Sequence, residues 1–140
     1  MHGGLARVST TWHSFRIMMR FPKNSREYHW TSHIKGKMVF YQISEQKIKT
    51  ILKSPSRKEI GIAPETSAFM KRNDTPKRKQ EIWVMFANNK NSKLEKVSAK
   101  TIMISAWRYP GISKAGDAIP VPEDILAELR DQNTWLGHLE

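Results

Sequence analysis

Hydrophobic and polar positions change period along this chain. Ile34, Met38 and Tyr41 recur at i, i+4 and i+7, with Lys35 and Lys37 off that face, which predicts a short helix. Gly36 weakens it by roughly 1 kcal/mol relative to alanine. Ile43-Ser44-Glu45 then reads as a break and a new start. Ser44 is a good N-cap and Glu45 suits the positive end of the helix dipole. Ile48, Ile51 and Leu52 give this second helix one apolar stripe, and Ser54-Pro55 ends it.

Strand-like patterns surround these helices. Tyr28 to Ser32 is aromatic and β-branched, so a short strand is expected before the first helix. Beyond Pro55, Arg57–Ile62 and Thr66–Arg72 are two weaker strand candidates, followed by a polar, basic turn over Asn73–Lys79. Glu81–Ala87 (EIWVMFA) is a continuous apolar run, the signature of a central strand buried on both faces. Asn88–Lys93 reads as a loop, Thr101–Trp107 as a second strong strand, and Pro110-Gly111 as its end. A last helix over 122–131 carries Glu123 and Asp124 in its first turn and Ile125, Leu126 and Leu129 on one face.

The order predicts an α+β fold: two N-terminal helices and a C-terminal helix with a three- to four-stranded, mainly antiparallel sheet. Grouped strands place the helices together on one face of it. Residues 1–26 are expected to form a basic, flexible arm, and 27–140 a single domain.

Charge changes the picture most. The 140 residues carry a formal charge of +11, which favours polyanionic partners without specifying a fold. From Met1 to Arg26 there are five basic residues and no acid, whereas Asp117 to Glu140 holds six acids against Arg130 alone. There is no cysteine, which excludes a disulfide framework and a thiolate zinc site. No apolar run approaches the roughly 18–20 residues of a membrane span. A cytoplasmic protein without membrane contact is expected. His29 and His33 are four apart, but no further ligands follow at metal spacing, so neither a metal nor another cofactor is expected.

Three stretches carry a family likeness: WTSHIKGKM (Trp30–Met38), ISEQKIKTILKSP (Ile43–Pro55) and IMISAWR (Ile102–Arg108). In that order they resemble the RelE-like and BrnT-type toxins, in particular the small uncharacterised domains grouped with them. The resemblance spans about Tyr28 to Arg108. It implies a RelE-like sheet with helices on one side, action on RNA or the ribosome, and neutralisation by an antitoxin protein. The chain departs from the group in its basic N-terminal arm, in Trp107 standing before Arg108, and in the proline-rich linker before the last helix.

Metal-independent RNA cleavage needs a base for the 2′-hydroxyl, an acid for the leaving oxygen, and cations for the phosphorane. His33, Lys37 and Arg108 are the candidate catalytic set, His33 and Lys37 sharing a helix face. Each also has an ordinary structural explanation: a helix-start histidine, a solvated lysine and a buried ion pair. Strict strand alternation groups Arg108 with Ile102, Ile104 and Ala106, and Met103, Ser105 and Trp107 on the other face. Lys71, Arg72, Lys77, Arg78 and Lys79 are candidates for phosphate, and Trp107 and Tyr109 for stacking on bases. An endoribonuclease, a non-catalytic nucleic-acid-binding module and a protein-interaction module all fit these residues.

Overall fold

Gln80–Asn88 (β4) and Thr101–Pro110 (β5) pair antiparallel at the centre of the sheet, with Trp83 beside Trp107 and Val84 beside Ala106. The computed structural model describes residues 21–88 and 100–130. Asn89–Lys93 of the expected loop, the first twenty residues of the arm and the stretch after Arg130 lie outside the described residues. The other elements are β1 (Tyr28–Trp30), α1 (Ser32–Tyr41), α2 (Glu45–Lys53), β2 (Arg57–Ile60), β3 (Ser67–Arg72) and α3 (Glu123–Arg130).

The fold is α+β. Its sheet has five strands in the order β1-β5-β4-β3-β2, more than the three or four expected. The sheet is mixed, because β1 runs parallel to β5 while the remaining pairs are antiparallel. A parallel neighbour requires a long crossover, and the rest of the described elements before β5 lie between the two strands.

The expectation that all helices share one face is also corrected. β4 is apolar on both sides, so each side needs its own cover. Ile82, Val84 and Phe86 pack with Ile34 and Met38 of α1 and Ile48 and Ile51 of α2. Trp83 and Met85 point the other way and pack with Ile125 and Leu129 of α3.

A β-bulge decides which face each β5 side chain joins. Met85 pairs with Ser105 but Phe86 pairs with Met103, so Ile104 is the extra residue. Met103 and Ala106 consequently share the α1–α2 core, and Ile104 and Trp107 the α3 core. The strict alternation expected from sequence fails here. Arg108, opposite Ile82, lies on the α1–α2 side with Met103 and Ala106, away from Ile104.

Local signals account for the helix ends. Thr31 Oγ1 accepts from the Ile34 amide at 3.2 Å, which starts α1 at Ser32, two residues before the periodic pattern. The same hydroxyl lies 3.0 Å from the Met103 carbonyl, pinning the start of α1 to β5. Ser44 caps α2 by accepting from the Lys47 amide at 3.1 Å. Between β2 and β3, Gly61 donates to the Thr66 carbonyl at 2.9 Å, and a Cβ there would overlap the Thr66 side chain. Among the described residues, no helix is long and apolar enough to cross a membrane.

Candidate functional site

His33, Lys37 and Tyr41 form one stripe along α1, and Asp124 and Glu128 form the matching stripe on α3. Spacings of four residues on both helices bring the stripes face to face. His33 Nδ1 lies 3.0 Å from Glu128 Oε2. Lys37 Nζ binds Asp124 Oδ2 at 2.7 Å and Glu128 Oε1 at 2.5 Å. Tyr41 donates its hydroxyl to Asp124 Oδ1 at 2.9 Å.

The other nitrogen of His33 extends this chain inward. Nε2 is hydrogen-bonded to Ser105 Oγ at 2.9 Å, and Ser105 is completely buried. A neutral ring with its proton on Nδ1 would donate to Glu128 and accept at Nε2 from the Ser105 hydroxyl. The result is a Ser105–His33–Glu128 relay, of the kind that orients a base. The His33 side chain is only 1% exposed, so the relay lies beneath α3 rather than in an open cleft.

Charge balance within the stripe perturbs its groups. Burial alone pulls the Lys37 ammonium down, but the hydrogen bonds it donates to Asp124 and Glu128 outweigh that and raise its pKa. Burial, with the bond to Asp124, raises the Tyr41 phenol well above its ordinary value. For Asp124, burial acts upward, but Lys37 and Tyr41 outweigh it and hold the carboxyl below the usual range.

Arg108, the third candidate, is directed elsewhere. Nε donates to the Tyr41 carbonyl at 2.6 Å and a terminal nitrogen to the Gln42 carbonyl at 2.8 Å. The other terminal nitrogen donates to Gln80 Oε1 at 2.8 Å. The guanidinium therefore closes the carbonyl end of α1, the favourable end for a cation. Burial lowers its pKa from an extreme starting point. His33 and Lys37 thus meet at Glu128, while Arg108 serves the far end of the same helix.

The phosphate candidates separate into engaged and outward-facing residues. Lys71 donates to the Ser54 carbonyl at 2.6 Å, holding the end of α2. Arg72 pairs with Asp74 at 2.6 Å and with the buried Glu81 at 2.8 Å. Lys77, Arg78 and Lys79 are exposed on the β3–β4 turn, and no ion pair among the described residues includes them. Asn73 and Arg108 both donate to Gln80 Oε1 at the root of that turn. Beside it lies a groove of about 220 Å³ lined by Ser44, Lys47, Asn73 and Arg108 among others.

The stacking candidates need correction. Trp107 is fully buried, stacked on Trp83 at 6.2 Å, with Nε1 donating to the Pro120 carbonyl at 2.7 Å. β5 is apolar on both faces, so this ring belongs to the α3 core. Tyr109 is half-buried against the same core.

Sequence reasoning did not single out Ser105, Glu128 or Asp124. The matching four-residue spacings of acids on α3 and His33, Lys37 and Tyr41 on α1 were the available signal. Among the described residues, no group of three or more His, Asp or Glu side chains is gathered for a metal ion. No family model, curated protein or solved structure matches the chain.

Proposed function

We propose that the protein is a nucleic-acid-binding module directed at RNA, gripping phosphates with the β3–β4 turn. One observation carries this: Lys77, Arg78 and Lys79 project from a turn whose root is fixed by Gln80, Asn73 and Arg108. A rigid root presents three cations together, and Lys47 and Arg108 line the adjoining groove. Asp124 and Glu128 spend their charge on α1, leaving the turn unopposed by those carboxylates. Phosphate contacts of this kind give affinity and strong salt dependence with little sequence preference.

Binding of a labelled single-stranded RNA, followed by anisotropy over a salt series, tests the reading. Each single-strand phosphate neutralised contributes about 0.7 to the log–log slope, so replacing Lys77, Arg78 and Lys79 by alanine should remove about 2 from it. Undiminished binding by that variant, or no binding by the native chain at low salt, overturns the proposal.

A second reading is a RelE/BrnT-like endoribonuclease with an antitoxin partner. The Ser105–His33–Glu128 relay favours it, because a base oriented by a carboxylate is the arrangement proton transfer needs. On this reading α3 must lift before RNA reaches His33. Discrete RNA cuts that vanish in His33→Ala would support it; the absence of cuts, or cuts that persist in this variant, would remove it.

A further inference from the structure

A second opening lies on the α1–α2 side, at the opposite end of α2 from the Arg108 groove. It has a volume of about 290 Å³ and is lined by Tyr28, Leu52, Phe69 and Phe86, with Lys53 and Asn88 among its polar walls. Phe69 and Phe86 meet edge to face, their centroids 4.8 Å apart. The rings already attract cations: Lys58 Nζ lies 5.4 Å from the Phe69 centroid and Lys49 Nζ 5.5 Å from that of Tyr28. Lys53 and Lys58 are exposed, so they can move toward an incoming anion.

We infer that this opening is a nucleobase subsite, which takes one unpaired base of a single-stranded RNA. Aromatic faces stack any base, and a lysine displaced from a ring face can follow the phosphate of the same nucleotide. Asn88, whose Oδ1 accepts from the Thr101 hydroxyl at 3.2 Å, adds an amide N–H donor toward a base edge. An apolar peptide side chain would fill the rings but gain nothing from the surrounding lysines. An anion without a planar ring would use the lysines and leave the aromatic walls wet. The combination selects a nucleotide, and its size is at the small end of ligand pockets, about 300 Å³.

The inference rests on the RNA-directed reading and deepens it from phosphate grip to base capture. Two probes separate them: an oligouridylate and an abasic ribose-phosphate oligomer of equal length and charge. The native chain should bind the base-bearing oligomer about 10-fold more tightly. In Tyr28→Leu and Phe69→Leu that ratio should collapse to about one. In the Lys77, Arg78 and Lys79 alanine variant both oligomers should weaken while the ratio survives. Equal binding of the two oligomers by the native chain overturns the base subsite and leaves the phosphate reading standing; no binding of either overturns both. Adenosine monophosphate titrated into the isotopically labelled native chain gives a test independent of variant folding. Shifts should centre on Lys53, Ser67, Phe69 and Thr101, and shifts confined to Lys77–Lys79 would overturn the inference.

Discussion

The Glu128 carboxylate sits 3.0 Å from Nδ1 of His33, and this contact fastens α3 to α1. It is the pivot of the polar seam, because its other oxygen holds Lys37.

Glu128→Gln keeps the shape but removes the charge that both partners face. Lys37 retains Asp124, whereas the buried His33 faces a neutral amide in place of a carboxylate. A stability loss of about 1–2 kcal/mol is expected, the range for hydrogen bonds to charged groups with discount for the half-exposed carboxylate. Urea denaturation should show a lower midpoint at unchanged slope.

The same seam sets a pH window. Asp124 has a depressed folded pKa, so its stabilisation is present above the ordinary carboxylate pKa of about 4 and is lost as pH falls through the folded value. Tyr41 and Lys37 have raised folded pKa values. Their contribution is complete below about pH 10 and disappears as pH rises through the folded values. Melting temperature plotted against pH should fall at both ends, with a shallower acid limb in Asp124→Asn and a shallower alkaline limb in Tyr41→Phe.

Arg108→Lys should not behave as a conservative change. A lysine cannot span the Tyr41 and Gln42 carbonyls and Gln80 at once, as the planar guanidinium does. A loss of about 1–3 kcal/mol is expected, with faster hydrogen exchange confined to the last turn of α1. Uniform exchange across the domain would contradict a local capping role.

Glu81 offers the sharpest stability test. It is completely buried, accepting from Arg72, Trp83 Nε1, and both the amide and the hydroxyl of Ser113. Arg72→Met strands this carboxylate and should cost about 3–5 kcal/mol. Adding Glu81→Gln to that variant should recover part of the loss, because the stranded charge is gone. A double variant as unstable as the sum of the two single ones would contradict the coupling.

Much of the architecture was legible in local pattern. The Ser44 cap, the stripe of α2 and the doubly buried run of β4 all depend on neighbours close in sequence. The parallel pairing of β1 with β5 was not, because three residues of strand carry no mark of a partner so distant in sequence. Site reasoning reached His33 and Lys37 through residue type and spacing, and it missed their carboxylate partners on α3. The extra residue in β5 puts Met103 and Ile104 on faces opposite those that alternation predicts, while Arg108 keeps its place beside Ala106; bulges leave no fixed sequence sign at this position. Trp107 looked available from its basic neighbour, although burial on both faces of β5 decided its fate.

The parallel edge has a consequence for how the chain is made. Thr31 and Met103, joined at the start of α1, are 72 positions apart. At about 5–20 residues per second, a ribosome releases β1 and α1 roughly 4–14 s before β5 exists to receive them. Trp30, Ile34 and Met38, all buried in the finished domain, lack their β5 neighbours through that interval. The β3–β4–β5 meander closes through shorter loops and can form as soon as β5 emerges. Among the described elements, the first to be synthesised is thus among the last to dock.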